Sequence, residues 1–315
     1  MKLWQGAMIS LARNEALTRF MQERAPTSGL AARFVAGPEV ADFVVTARRL
    51  REHGFSTSAF FLGEYVADPE KIAANVQGIR AVVAAIDGGE VDLHVSVDPS
   101  QIGYALNDGL GEANTFSIAE ALADRPAAGR KTLMLDMEDE SYVPRTLALH
   151  SALGNRGLPV AITIQAYLRR SAADIEHLAA SGATVRLVKG AFVGSPQTAF
   201  AARPDIDASY RALAGRMLSE DARAAGMRPV FGTHDEAIIA ELRKLARRNG
   251  WRPGEYEFEM LFGVRPVLQQ SLVDGGEAVR LYLPFGRDWW PYAIRRVGES
   301  PHNAWLVAKA LVSRN

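Results

Sequence analysis

The chain of 315 residues contains no cysteine. This absence excludes disulfide bonds, thiolate metal ligands, iron–sulfur clusters and a cysteine nucleophile, and it suits a reducing compartment. No apolar run approaches the roughly 20 residues that a membrane-spanning helix needs, and the first residues lack the apolar core of a signal peptide. Neither sign of charge is in excess, because 36 Lys and Arg residues balance 36 Asp and Glu residues. We therefore expect a cytoplasmic protein that does not bind nucleic acid.

Motifs typical of metal, phosphate and acyl-transfer sites are also missing. The six histidines show no HxH or HxxxH spacing, and no GxSxG or GxxxxGK[ST] motif occurs. A Mg²⁺ site made of carboxylates would have to use Asp136, Glu138 and Asp139 in the segment LDMEDE. Acidic and apolar residues alternate in that segment, which is typical of the end of a strand. We therefore predict that the protein has no metal site.

Short apolar or β-branched runs alternate with helical patterns from residue 56 onwards. The predicted strands cover 56–64, 90–97, 131–138, 158–167, 183–192, 228–234, 256–263 and 278–286. Eight strands that alternate with helices predict an α/β fold of the (β/α)8 barrel type. An open doubly wound sheet is the alternative, but no GxGxxG turn follows the first strand. We predict a barrel over residues 56–315, preceded by an N-terminal helical arm over residues 1–55.

Polar residues stand at the ends of the predicted strands, where the active site of such a barrel lies. They are Glu64, Asp98, Asp136, Glu138, Gln165, Arg186, Lys189, Thr233, His234, Glu259 and Tyr282. The segment RLVKGAF adds two cations, Arg186 and Lys189, just before a glycine turn, which suits a pyrophosphate or the electron-rich edge of a reduced flavin. Each residue alone could be a structural polar group, but together they indicate a site for an organic cofactor.

One face of a predicted helix near the C-terminus carries a polar cluster. Residues at three- and four-residue spacing share a helical face, and here they are Tyr292, Arg295, Arg296 and Glu299. The cluster is either a solvated face with an intrahelical ion pair or a clamp for a small carboxylate.

Seven motifs occur in an order and spacing that match a known family: LDMED, IQAYLRR, RLVKGAF, GTHDEAIIAEL, EFEMLFGVRP, LYLPFGRDW and YAIRRVGE. Over roughly residues 33–313 the chain resembles the proline dehydrogenases, which are flavoenzymes on a distorted (β/α)8 barrel. The resemblance implies non-covalent FAD and oxidation of L-proline to Δ1-pyrroline-5-carboxylate by hydride transfer to flavin N5. It further implies a quinone or oxygen as electron acceptor, and at most a peripheral association with the inner membrane.

The resemblance also assigns roles to individual residues. The cofactor-binding residues would be Met137, Gln165, Arg186, Lys189, Pro196, Gln197, Thr233 and His234. The substrate-binding residues would be Asp98, Tyr282, Tyr292, Arg295, Arg296 and Glu299. Asp136, Arg186 and Phe192 would occupy catalytic positions, with Arg186 beside flavin N5. The paired arginines would then bind the substrate carboxylate, with Glu299 holding them in place.

Three positions depart from the family pattern: Asp98 replaces a lysine, Phe192 a tyrosine and Glu259 a glutamine. Two activities follow from these differences. In a divergent proline dehydrogenase, Asp98 turns away from the substrate or pairs with a clamp arginine. In a retuned homologue, Asp98 faces an extra cation or N–H group of a different amine or N–N substrate in a specialised biosynthetic pathway. A non-catalytic sensor of flavin or amino acid is a third alternative, which the intact Arg186, Asp136 and arginine pair disfavour.

Overall fold

The computed structural model of the protein describes residues 15–24, 29–63, 66–86, 88, 92–192 and 194–298. Eight parallel strands form a closed barrel in chain order, and the last strand pairs with the first. The strands are β1 Ser56–Phe61, β2 Leu93–Val97, β3 Lys131–Leu135, β4 Val160–Gln165, β5 Thr184–Val188, β6 Arg228–Gly232, β7 Glu257–Leu261 and β8 Val279–Phe285. Every observed strand lies within its predicted range, so the predicted (β/α)8 barrel is confirmed.

Helices precede β1 and connect the strands. In the described residues they are α1 Glu15–Arg24, α2 Gly29–Phe34, α3 Val40–Glu52, α4 Pro69–Ala85, α5 Asp108–Ala123, α6 Val143–Asn155, α7 Ser171–Ala180, α8 Arg203–Met217, α9 Glu220–Ala224, α10 Glu236–Arg248, α11 Pro266–Asp274 and α12 Trp289–Gly298. None of the helices in these ranges has the length and apolar character needed to cross a bilayer.

The helices before β1 pack on two different parts of the molecule. Helix α3 buries Phe43 against the barrel, where its ring centroid lies 5.3 Å from that of Phe285. Helix α2 instead buries Leu30 and Phe34 in a cluster with Trp290 of α12. The described part of the predicted arm is therefore mainly helical, while its boundary at residue 55 stays a prediction.

The two faces of the strands differ in polarity. Side chains alternate along a strand with a period of two, and the outward positions are apolar, as with Leu187 and Leu281. Several inward positions are polar, namely Ser58, Ser96, Thr163, Arg186 and Glu259. Barrels of this type usually fill their interior with Val, Ile and Leu. The polar side chains inside this barrel therefore indicate that its interior near the carboxyl ends of the strands belongs to a binding site.

Candidate active site

A cavity of about 750 Å³ opens at the carboxyl ends of the strands, within the roughly 300–1,000 Å³ typical of ligand pockets. The predicted site residues that line it are Asp98, Asp136, Met137, Gln165, Arg186, Phe192, Thr233, His234, Tyr282, Tyr292, Arg295 and Arg296. Three others, Lys189, Pro196 and Gln197, are not among the lining residues, and Glu299 lies outside the described residues. The barrel thus brings most of the predicted residues to one place.

Arg186 is held inside the barrel by four side chains. Its Nε donates to Thr163 Oγ1 at 3.0 Å, and its Nη1 reaches Ser96 Oγ at 3.4 Å and Glu259 Oε1 at 3.1 Å. Its Nη2 donates to Asp136 Oδ1. Burial alone would lower the pKa of Arg186, but the two carboxylates outweigh burial and raise it. Arg186 is therefore a fixed, permanent cation at the base of the cavity.

Tyr282 links this cation to the cavity wall. Its hydroxyl donates to Asp136 Oδ2 at 2.8 Å, and the guanidinium carbon of Arg186 lies 5.3 Å from its ring centroid. Burial, with the negative charges of Asp136 and Asp98, raises the pKa of Tyr282 well above its usual value. Phe60 packs beside it, with ring centroids 5.0 Å apart. Tyr282 is therefore a protonated, rigid wall of the cavity.

Asp98 enters the cavity from a short helix that another acidic residue anchors. Asp98 occupies the N-cap position of the 3-10 helix Pro99–Ile102, directly after β2. Glu138 accepts hydrogen bonds from Ser100 N at 2.7 Å and from Ser100 Oγ at 2.6 Å. Glu138 is one of the polar residues predicted at the strand ends, where the sequence assigns it no role. It fixes the position of the segment that carries Asp98.

The buried polar atoms of the cavity that have no hydrogen-bond partner among the described residues include Gln165 Oε1 and His234 Nδ1. Gln165 Nε2 donates to Met137 O at 3.1 Å, and His234 Nε2 accepts from Leu261 N at 3.2 Å. Burial, with the nearby charge of Arg296, lowers the pKa of His234 to about 4. His234 is therefore neutral, with its proton on Nδ1. Gln165 and His234 thus offer one acceptor and one donor to a ligand.

The segment after β5 leads one predicted residue into the cavity and others away from it. Gly190 has a φ of +97°, and a Cβ there would lie 2.2 Å from the Tyr167 ring, so the turn needs glycine. Phe192 lines the cavity beyond this turn. Lys189 instead pairs with Asp207 at 2.5 Å and Asp235 at 3.2 Å. Further along, Pro196 and Gln197 are exposed on a turn. The cofactor roles of Lys189, Pro196 and Gln197 stay predictions.

Helix α12 carries the predicted clamp and is fixed by its apolar face. Arg295 and Arg296 line the cavity with Tyr292, and the guanidinium carbon of Arg296 lies 5.3 Å from the Tyr292 ring centroid. The other face of the helix buries Trp290 and Ile294 completely. The paired arginines are half-buried and part of the cavity wall, so they are not a fully solvated helix face.

Comparison with known proteins decides the family. The sequence model of the family described as proline dehydrogenase matches residues 43–308. The chain belongs to the proline dehydrogenase family. The family assignment suggested by the seven motifs is thus confirmed.

Curated relatives of this proline dehydrogenase family member match it over nearly their whole length. Proline dehydrogenase 1 of Bacillus subtilis (strain 168) is 30% identical over 304 residues, which cover 96% of this chain and 97% of the relative. Proline dehydrogenase of Deinococcus radiodurans is 29% identical over 313 residues, which cover 99% of this chain and 98% of the relative.

Solved structures share the fold of this family member. Proline utilization A (PutA) from Bdellovibrio bacteriovorus, inactivated by N-propargylglycine, superposes with a TM-score of 0.77 at 22% identity. PutA from Corynebacterium freiburgense gives a TM-score of 0.74 at 19% identity. The first match covers 91% of this chain but 34% of the PutA chain, so the chain spans about a third of that protein.

Proposed function

We propose that the chain is an FAD-dependent oxidoreductase that oxidises L-proline, or a proline-like carboxylate-bearing amine, by hydride transfer to flavin N5. With proline the product would be Δ1-pyrroline-5-carboxylate. One observation carries the proposal: a single cavity contains both the buried cation Arg186 and the arginine pair of α12. A cation anchored by four partners suits a redox cofactor, and paired guanidinium groups suit a carboxylate.

The residues present fit a flavin. An isoalloxazine ring has two apolar faces and a polar edge with donors and acceptors. The cavity offers the acceptor Gln165 Oε1, the donor His234 Nδ1–H and the buried side chain of Met137. We assign Thr233 to the same cofactor and Arg186 to the neighbourhood of N5. A flavin held by these residues would supply the acceptor for a hydride from the substrate carbon next to nitrogen.

The residues of α12 would orient the substrate. Arg295 and Arg296 would bind its carboxylate, and a carboxylate held by guanidinium groups cannot rotate freely. Tyr282 and Tyr292 would enclose its ring and exclude water, since both are buried or nearly so in the cavity wall. Hydride transfer depends strongly on such alignment, because a fixed donor and acceptor need no further ordering on the way to the transition state.

Asp136 acts through its neighbours in this proposal. One carboxylate oxygen accepts from Arg186, and the other accepts from Tyr282. Burial raises the pKa of Asp136, while Arg186 and these hydrogen bonds oppose the rise. Because both oxygens are engaged, Asp136 holds the cation and the tyrosine in place instead of abstracting a proton. The amine itself needs only a free lone pair when hydride leaves.

We expect the purified protein to bind FAD and to release it on denaturation, since the family resemblance implies non-covalent FAD and neither a cysteine nor another evident tether is available. L-Proline added anaerobically should bleach the flavin absorption. A matched incubation with D-proline controls for unspecific reduction. A protein that stays colourless after FAD is added would contradict the whole assignment, whereas bleaching by another amine and none by L-proline would leave the cofactor intact and change the substrate.

One observation favours the second candidate, a homologue retuned for another amine or an N–N substrate. Asp98 lines the same cavity as the arginine pair, and its charge acts on Tyr282. A carboxylate about 4 Å from the substrate carboxylate would repel it by about 1–4 kcal/mol. A substrate with an additional N–H or cationic group would instead be attracted to Asp98.

We expect Asp98→Lys to preserve or raise the rate of L-proline oxidation, because it replaces a repulsive charge by an attractive one. Initial rates with proline and with diamine-type amino acids measure the effect. Asp98→Asn, which removes the charge at constant size, separates loss of repulsion from new attraction. Loss of activity on a cationic amine together with no gain on proline would establish the retuned homologue, because an unpaired buried donor is costly.

The proposal extends to the electron acceptor and the location, which rest on the family resemblance and the composition of the chain. We propose a quinone or oxygen as acceptor, a small amino-acid-like substrate as the binding partner, and a cytoplasmic protein with at most peripheral contact with the inner membrane.

A further inference from the structure

A single guanidinium, that of Arg186, faces two buried carboxylates. The side chains of Asp136 and Glu259 are 11% and 2% exposed, and that of Arg186 is 6% exposed. Asp136 alone would balance the charge of Arg186. Glu259 therefore adds a second negative charge to a site that already contains an ion pair.

The second carboxylate is only partly satisfied. Glu259 Oε1 accepts from Arg186 Nη1 at 3.1 Å. Glu259 Oε2 is buried and has no hydrogen-bond partner among the residues that the structure describes. An unsatisfied buried carboxylate oxygen opposes folding, and a neutral side chain of the same shape could keep the contact with Arg186. The position is therefore poorly suited to a purely structural role.

We propose that Glu259 is a positioning residue that acts through Arg186 to lower the reduction potential of the bound flavin. This inference rests on the proposed function. Reduction adds negative charge to a flavin, and a nearby cation favours that charge. Glu259 partly cancels the cation, because it binds the guanidinium of Arg186 and lines the same cavity. A neutral side chain at residue 259 should make the flavin easier to reduce.

The charges around Glu259 determine how pH acts on it. Burial raises the pKa of Glu259, Arg186 and Arg280 oppose the rise, and Glu257 and Asp136 add to it. Its negative charge is thus present above the raised pKa and is lost as pH falls through that value. The reduction potential of the wild type should then rise and approach that of a neutral variant. Two more groups lie nearby. His94 has a pKa well below its usual value because of burial, Arg280 and Arg186, and Tyr282 has a raised pKa, so neither titrates near neutral pH.

The experiment compares the reduction potentials of FAD-loaded wild type and Glu259→Gln above neutral pH. The variant should shift the equilibrium towards reduced flavin by about tenfold or more, which is about 30 mV for a two-electron couple. Glu257→Gln is the matched control. Glu257 lies two residues earlier on β7, so it shares the inward face, but it binds Arg280 with an Nε–Oε1 distance of 2.7 Å. The reduction potential of FAD bound to Glu257→Gln should stay close to that of the wild type.

Two further variants test whether the negative charge of residue 259 causes the shift in reduction potential. Glu259→Asp retains the charge and should restore a potential near that of the wild type, and Glu259→Met supplies a second neutral variant if the glutamine form does not fold. Equal potentials for wild type and both neutral variants would overturn the inference and leave the proposed function standing. The inference would also be overturned if the potential of the neutral variants stayed above that of the wild type by the same amount at low pH. The two potentials should converge there, because Glu259 of the wild type is then neutral. Failure of the wild type to bind FAD would overturn both.

Discussion

Replacing Arg295 or Arg296 by methionine is expected to lower kcat/KM for the carboxylate substrate by about tenfold or more. Removing one member of a buried charge pair costs about 2–5 kcal/mol, and about 1.4 kcal/mol corresponds to a factor of ten. Both arginines line the cavity on α12, whose opposite face is packed into the protein. The helix should therefore keep its position when one guanidinium is lost. Steady-state kinetics measure the loss of substrate binding, and the absorption spectrum of bound FAD measures any change at the cofactor. The spectrum should hardly change.

Arg287→Met provides the matched control for the clamp. Arg287 lies just before α12, its side chain is 81% exposed, and it pairs with Glu39 at 2.5 Å. Exposed ion pairs of this kind contribute little, so the control should have the kinetics of the wild type. If Arg295→Met and Arg296→Met also retained normal kinetics, the arginine pair would be a surface feature of the helix and not a carboxylate site.

Replacing Arg186 by methionine is expected to destabilise the protein and to weaken FAD binding. The change leaves Asp136 and Glu259 buried without their cation, and breaking a buried pair in this way costs about 3–5 kcal/mol. Both carboxylates already have raised pKa values because of burial, and loss of Arg186 would raise them further. The folded variant then binds more protons than the unfolded chain, so its stability should decrease as pH rises through those values. Denaturant unfolding at several pH values measures the stability of wild type and Arg186→Met.

A double variant tests the cause of that loss. Arg186→Met combined with Glu259→Gln removes one of the stranded carboxylates, so it should be more stable than Arg186→Met alone. The two changes should therefore be non-additive, as expected for residues in contact. Arg186→Lys keeps the charge but lacks the planar fork that reaches four partners, and it should fall between wild type and Arg186→Met. Unchanged stability and unchanged FAD affinity in Arg186→Met would contradict this account of the barrel interior.

The positions of the strands and of most site residues could be predicted from the sequence because they depend on short-range patterns. Arg186 shows what the sequence could predict and what it could not. A charge in the middle of an apolar strand indicated a buried function. Its partners Thr163 and Ser96 were not predicted, because they depend on which residues of different strands share one layer. The pairing of Thr163 with Arg186 in adjacent strands sets that layer, and no local pattern reveals this pairing.

The loop after β5 could not be predicted for a different reason. Pro196 and Gln197 follow the glycine turn that brings Phe192 to the cavity, but they belong to an exposed turn. Thr198 holds this turn through hydrogen bonds to the Ser195 side chain and to Glu140. Such loop geometry results from a few contacts with distant residues, and hydrophobic periodicity contains no information about it.

The packing of α2 against α12 affects the order in which segments of the chain can fold during translation. Leu30 and Phe34 emerge from the ribosome early, but their partners Trp289 and Trp290 emerge only after β8. The strands that carry Gln165 and Arg186 are translated well before the helix that carries Arg295 and Arg296. A growing chain therefore exposes the apolar face of α2 until translation has passed α12. The residues that we assign to the substrate carboxylate are accordingly the last part of the site to be put in place.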